Sequence, residues 1–370
     1  MTPIRIVVVD DSVVIRRVLT DILDSDPEIE VVATASNGRL GLERIAQYKP
    51  DLVTLDIEMP EMDGLAAVKE LRRTDRRTPV IMFSTLTEQG GSATLEALSL
   101  GANDYVTKPG NTGSASAAME RVRTDLLPRI KALVGRGAPV ARTRAGSTAT
   151  PVAPVVTRAP RVSAAPVEIV AIGTSTGGPN ALEEVLTHLP ADLGVPIVVV
   201  QHMPPLFSRL LAERLDTKTR LHIVEAEPGM QLTAGMVVIA PGDYHMTLRQ
   251  TLAGGVEIQT NQNPPENSCR PAVDVLFRSV AEVYGPRSLG VVMTGMGQDG
   301  MLGARALVAA GAEVLAQDEA TSVVWGMPGA VARDGLASAL LPLDQIAPTI
   351  HRRVRRLAPA PTPVTTGISR

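Results

Sequence analysis

Short apolar runs recur along the chain, and helix-length amphipathic stretches separate them. In the first third, Ile4–Val9, Glu30–Ala35, Leu52–Leu55, Val80–Phe83 and Asp104–Val106 read as strands. Regular alternation of strand and helix predicts a doubly wound parallel sheet. Met119, Val122, Leu126, Ile130 and Leu133 return at spacings of 3 and 4, as one buried helical face requires. That predicts a helix over Ala118–Val134, kinked at Pro128. From Val167 the alternation resumes. Ile169–Ile172, Ile197–Val200, Val237–Ile239, Leu289–Met293 and Glu313–Ala316 read as strands, with Asn180–Leu189 and Gly303–Ala310 helical. Gly235 to Gln259 reads as strand, turn and hairpin, an antiparallel excursion on a mostly parallel sheet. The expected fold is α/β, with two doubly wound domains.

Between the two blocks the pattern disappears. Residues 135–166 are rich in Ala, Pro, Val, Thr and Arg, with no acid and no aromatic, and read as a flexible linker. Residues 357–370 read as a disordered tail. The expected division is therefore 1–134, linker 135–166, 167–356 and tail 357–370.

Composition narrows the function. Hydrophobic residues make up 44% of the 370, enough for two cores. A net charge of −3 and 2% aromatics give no footing for nucleic acid. Cys269 is the single cysteine, so an internal disulfide and a cysteine-built zinc site are excluded. No apolar run reaches the ~18 residues of a membrane span, and the N-terminal run meets Asp10 and Asp11 at once. A soluble cytoplasmic protein without membrane insertion is expected.

Candidate chemistry collects at the ends of the predicted strands, where open α/β sheets bind ligands. In the first block Asp10 and Asp11 follow the first strand, Asp56 the third, Ser84 the fourth and Lys108 the fifth. Hard carboxylate oxygens suit Mg²⁺. Carboxylates, a cation, a hydroxyl and a lysine together make a phosphoryl site, with Asp56 as the attacking group. Singly, Asp11-Ser12 reads as a helix cap and Lys108-Pro109 as a turn; it is their agreement at four strand ends that carries the reading.

The motifs "VVVDDS", "DLVTLDIEMPEMDGL", "MFSTLT" and "DYVTKP" resemble the response-regulator receiver domain of two-component signalling. The resemblance implies a flavodoxin-like sheet of five parallel strands and phosphorylation of Asp56 by a histidine-kinase phosphodonor. It also implies Mg²⁺ held by Asp10, Asp11, Asp56 and the backbone of Glu58, with Ser84 and Tyr105 as switch residues beside Lys108.

In the second block, Ser175 follows the first strand, His202 the second, and Asp299 closes "LGVVMTGMGQDG". A hydroxyl needs a base, and an imidazole base needs an acceptor to fix its tautomer; these three supply a nucleophilic triad. His188, His222, His245 and His351 are less well placed. The loop "GTSTGGP" also matches G-x-S-x-G, but the order Ser, His, Asp is not that of α/β-hydrolases. Two nucleotide readings of the loop are weak: it lacks the G-x-G-x-x-G spacing and ribose acid, and it lacks the Walker lysine. Gly173 and Gly177 are expected to shape the turn that presents Ser175, with a helix N-terminus behind it.

"IGTSTGGPNAL", "VVVQHMP", "IAPGDYHM", "CRPAVDVLFRSVA", "VVMTGMGQDG" and "QDEATSVVWGMPGAV" resemble, in order, the catalytic domain of the chemotaxis methylesterase. The resemblance implies a Rossmann-like esterase domain and a triad of Ser175, His202 and Asp299, with the backbone N–H of Met296 as oxyanion donor. It implies hydrolysis of glutamyl methyl esters on chemoreceptors and deamidation of receptor glutamine, without a cofactor for the ester chemistry. It further implies that the unphosphorylated receiver covers the active-site edge. Cys269 departs from the expected aromatic or histidine and is expected to affect substrate fit rather than chemistry. The alternative is a receiver-controlled, non-catalytic signalling adaptor.

Overall fold

The first sheet consists of β1 (Ile4–Val9), β2 (Ile29–Ala35), β3 (Leu52–Asp56), β4 (Val80–Ser84) and β5 (Asp104–Thr107). All its pairings are parallel, in the order β2-β1-β3-β4-β5. Helices α1 (Val13–Asp24), α2 (Gly38–Tyr48), α3 (Gly64–Thr74), α4 (Glu88–Ser99) and α5 (Ala115–Leu133) connect and follow the strands. The computed structural model describes residues 2–108, 115–135 and 165–355. The linker, apart from its two ends, and the tail expected from composition lie outside the described residues, as does Pro109.

Ser12, Asn37, Asp63 and Thr87 each cap a helix by accepting a hydrogen bond from a backbone N–H three residues on. The last helix begins at Ala115, three residues before the expected Ala118, and runs through Pro128. Val122, Leu126 and Ile130 are buried as the spacing requires, in a cluster with Ile4, Ile6 and Val8 of β1.

The second domain is built on β6 (Ile169–Thr174), β7 (Ile197–Gln201), β8 (His222–Glu225), β9 (Met236–Ile239), β10 (His245–Gln250), β11 (Val256–Asn261), β12 (Ser288–Val292), β13 (Glu313–Gln317) and β14 (Ala339–Leu341). Seven of them form one parallel sheet, β14-β13-β12-β6-β7-β9-β8. The expected antiparallel excursion is a separate hairpin, β10–β11, paired from His245↔Asn261 to Gln250↔Val256. Helices α6 (Gly178–Thr187), α7 (Pro205–Lys218), α8 (Val273–Tyr284), α9 (Met301–Ala309), α10 (Met327–Arg333) and α11 (Leu343–Arg355) complete it.

Two strands were not expected. β8 is short and part-exposed, and β14 is a three-residue edge. β8 has only two apolar residues and β14 is only three residues long, so neither stands out. Helix α6 starts at Gly178, two residues before the expected Asn180, because Gly177 at φ +77° turns the chain at once. Gly173 plays no part in that turn, contrary to expectation. It lies inside β6, where a Cβ would overlap the side chain of Val273.

The two domains share an apolar cluster. Leu95 and Leu98 of α4 and Tyr105 of β5 pack in the same buried group as Leu182 of α6 and Phe207 and Leu211 of α7. The rings of Tyr105 and Phe207 stack, with centroids 4.8 Å apart and planes 2° from parallel. The first domain thus lies against the helices that follow β6 and β7.

Candidate functional site

β6 lies between β7 and β12 in the sheet, and all three run in the same direction. Their carboxyl ends therefore meet along one edge. Ser175 follows β6, His202 follows β7, and Asp299 lies in the loop between β12 and α9. The chain leaves β6 for β7 on one side and returns to β12 on the other, which makes this a crevice where ligands bind in open sheets. The three sequence-predicted residues are thus brought together by topology.

His202 Nε2 lies 2.8 Å from Asp299 Oδ2. Asp299 is buried, and its remaining partners are donors. Val273 N reaches Oδ2 at 2.7 Å; Asp274 N, Gly300 N and Asn267 Nδ2 reach Oδ1 at 3.0, 2.9 and 3.1 Å. Two of these N–H groups belong to the first turn of α8, whose partial positive charge favours a carboxylate there. Burial opposes the charge on Asp299, but the bonded and charged imidazole and the backbone donors hold its carboxyl below the usual range. Burial would also depress His202; the bond to Asp299, together with Cys269, overrides it and pushes the imidazole up to about 10.

No hydrogen bond joins Ser175 to His202 among the described residues. The second ring nitrogen, Nδ1, faces Cys269 Sγ at 3.5 Å. Cys269 was expected to bear on substrate fit; its sulfur lies against the His202 ring itself. Since Nε2 is committed to Asp299, Nδ1 is the nitrogen left for a serine proton.

Gln201 was missed by the sequence reading. Its buried side-chain amide donates from Nε2 to the carbonyls of both Ser175 and His202, each at 3.0 Å. That ties the backbone of the serine to that of the histidine. The same amide explains Gly178, where a Cβ would overlap Gln201 Oε1 and Thr174 Oγ1. The N–H of Met296 has no acceptor among the described residues, and Gly295 beside it packs against Ser175. This leaves a donor on the edge where an acyl oxygen would develop charge.

The other cluster lies at the carboxyl end of the first sheet. Asp10, Asp11 and Asp56 each offer an oxygen within 4.8 Å of the others. Lys108 Nζ lies 3.0 Å from Asp10 and 2.7 Å from Asp56. A cavity of about 190 Å³ is lined by Asp11, Asp56, Glu58, Thr85 and Lys108, among others. Three carboxylate-bearing residues around one ammonium are an all-oxygen donor set, and they fit a hard divalent cation. Burial, with the neighbouring Asp10 charge, raises Asp56 to about 6 against the hydrogen bond from Lys108.

Ser84 does not line this cavity, although it ends β4 as expected. Its hydroxyl donates to Gly90 O at 3.1 Å and accepts from Thr94 at 2.7 Å, both on α4. Tyr105 is buried against Phe207 of the second domain.

The first domain reaches the serine loop directly. Thr176 Oγ1 donates to Asp104 Oδ2 at 2.9 Å, and Asn180 Nδ2 donates to Leu98 O at 2.8 Å. Arg209 meets Glu88 at 2.5 Å, and Arg214 donates to Ser99 at 2.6 Å.

Residues 170–350 match the family model of the CheB methylesterase, and residues 6–120 that of the response regulator receiver domain. A protein-glutamate methylesterase/protein-glutamine glutaminase of Nocardioides sp. is 54% identical over 366 residues, spanning 98% of this chain and 99% of that one. One from Trichodesmium erythraeum is 49% identical over 359 residues, spanning 96% and 100%. No described helix is long and apolar enough to cross a membrane. A receiver followed by a methylesterase domain, matched over nearly the whole length of such relatives, places the chain in the CheB protein-glutamate methylesterase/protein-glutamine glutaminase family.

Proposed function

We propose that the chain is a receiver-controlled serine esterase that hydrolyses glutamyl methyl esters on chemoreceptors and deamidates receptor glutamines, in chemotaxis adaptation. The observation that carries this reading is the convergence of Ser175, His202 and Asp299 on neighbouring strand ends, in a chain of this family.

In the proposed reaction Ser175 Oγ attacks the ester carbonyl and its proton passes to neutral His202 through Nδ1. Asp299 holds the ring by Nε2 and balances the imidazolium. The Met296 N–H donates to the oxyanion. The C–O bond breaks, and the leaving methoxide takes the proton from His202 to depart as methanol. Water then attacks the acyl-serine; its proton passes to His202 and on to Ser175, freeing the glutamate. With glutamine the leaving group is ammonia, by the same steps.

Control is assigned to Asp56 as phosphoryl acceptor, with a histidine kinase of the chemotaxis pathway as phosphodonor. Asp10, Asp11, Asp56 and the backbone of Glu58 would hold Mg²⁺, which when bound supplies charge neutralisation for phosphoryl transfer. Lys108 balances the charge on Asp56, and Ser84 and Tyr105 respond to it. Without the phosphoryl group the receiver stays on the serine edge through Asp104–Thr176 and Tyr105–Phe207.

The test is methanol release from methylated receptor membranes, with and without acetyl phosphate and Mg²⁺. Release that rises with acetyl phosphate and vanishes in Ser175→Ala is expected. No release from the wild-type chain would favour a non-catalytic adaptor. Deleting residues 1–134 should raise the basal rate; an unchanged rate sinks the inhibition.

A further inference from the structure

We propose that Asn267 is a positioning residue for the reaction, holding the Asp299 carboxylate to His202 from a tight turn laid over the pair. This rests on the assignment of His202 and Asp299 to the triad.

The turn runs from Glu266 to Cys269. Glu266 N donates to Cys269 O at 3.1 Å, and Cys269 N donates back to Glu266 O at 2.8 Å. The two residues between them, Asn267 and Ser268, have φ of 51° and 62°. Reciprocal bonds around two left-handed residues are the pattern of a two-residue hairpin loop. Asn is among the few side chains that enter this region readily. Arg278 of α8 anchors the turn by pairing with Glu266 at 2.5 Å.

Asn267 is solvent-exposed, yet both its amide contacts point inward. Nδ2 donates to Asp299 Oδ1 at 3.1 Å and to Asp274 Oδ2 at 2.9 Å. Asp274 is itself buried and otherwise bonded through Oδ1 to Gly303 N at 2.6 Å. Two carboxylates thus lie side by side at the first turn of α8, and a single NH₂ group donates to each. Among the described residues, every other group on Asp299, apart from the imidazole, is a backbone N–H fixed by the fold. Asn267 is therefore the one side-chain amide that sets the rotation of the carboxylate, keeping Oδ2 on the ring and separating Oδ1 from Asp274. It touches no reacting atom and acts through Asp299.

A role in the turn alone and a role in positioning predict different orders of activity. Gly keeps the left-handed turn and removes the amide. Asp keeps the shape and tolerates the conformation, but replaces the donor with a third carboxylate. For the full chain with acetyl phosphate and Mg²⁺, positioning predicts that Asn267→Gly lowers kcat about tenfold, the worth of one charge-assisted hydrogen bond. KM should stay within about twofold, since a group acting only in the transition state leaves substrate binding alone. Asn267→Asp should lose more than Asn267→Gly, with thermal midpoints of both near wild type. Wild-type kcat in Asn267→Gly and Asn267→Asp overturns the proposal. Asp299→Ala, run in parallel, separates the failures. If it keeps full activity, the triad reading falls and this proposal with it; if it is inactive while Asn267→Gly is not, this proposal alone falls.

Discussion

Thr176, the residue after Ser175, donates its hydroxyl to the receiver carboxylate of Asp104 at 2.9 Å. The receiver thus touches the loop that carries Ser175, the proposed nucleophile. Asp104 is in turn held by Arg129 of α5 at 2.7 Å.

Gly91 of α4 offers a way to open this interface without phosphorylation. A Cβ there would lie 2.6 Å from Leu210 Cδ1, across the domain boundary. Gly91→Leu should wedge the domains apart and raise methanol release several-fold without acetyl phosphate. The chain without residues 1–134 lacks the interface altogether and sets the ceiling. A basal rate equal to wild type would remove α4 from the inhibitory contact.

Asp299 can only accept hydrogen bonds, and all its neighbours donate. In Asp299→Asn an NH₂ group must face either the imidazole together with the N–H of Val273, or the N–H groups of Asp274 and Gly300 and the amide of Asn267. We expect kcat to fall about 10³- to 10⁴-fold, as when a triad carboxylate becomes an amide. Stability should fall by about 1–3 kcal/mol for the donor left unmatched. Steady-state kinetics and urea unfolding read the two effects separately; near-wild-type kcat would exclude Asp299 from the chemistry.

The contact of Cys269 with His202 has a pH consequence. Burial lowers the pKa of the imidazole, whereas Asp299 and Cys269 raise it, to about 10 in sum. A protonated ring cannot take the serine proton, so kcat/KM should climb with pH into the alkaline range. Cys269→Ala removes one of the raising groups. The ring's pKa then falls, the rising limb moves to lower pH, and activity near neutrality increases. Rates corrected for spontaneous ester hydrolysis decide this; a limb that stays put or moves to higher pH contradicts the pairing.

At Asp56 burial acts in the opposite sense, though activity again falls as pH drops. Burial, with Asp10, raises its carboxyl to about 6. Only the ionised form attacks phosphorus, so consumption of acetyl phosphate should fall as pH drops through that value. Lys108 lowers the pKa of Asp56 by hydrogen bond and charge. Lys108→Ala should therefore shift the fall to higher pH and slow phosphorylation at neutrality. Added Mg²⁺, a second positive charge, should shift it to lower pH. Rates independent of pH from neutrality down to about 5 would contradict a buried acceptor.

The strand ends were the most legible part of the chain. Runs such as Ile169–Ile172 and Ile197–Val200 are buried on both faces, so composition alone marks them, and the polar residue that ends each run marks the edge. Ser84 was legible as a strand end but not as a hydroxyl turned toward α4, because a side chain's direction depends on what packs beside it. Gly173 and Gly178 looked alike in "GTSTGG". One makes room for Val273 and the other for Gln201, each brought there by a distant part of the chain.

Alternating apolar runs, turn residues and strand-end acids are local properties, and they were enough to give two α/β domains with Asp10, Asp56, Ser175, His202 and Asp299 at their edges. The tertiary structure decided which atoms meet: Nε2 rather than Nδ1 on Asp299, Cys269 on the base, Asn267 between two carboxylates, and Asp104 on Thr176. The contacts His202–Asp299, Cys269–His202, Asn267–Asp299 and Thr176–Asp104 join residues from 32 to 97 positions apart. Hydrogen bonds at that range depend on strand order and turn geometry, which no stretch of the chain encodes alone.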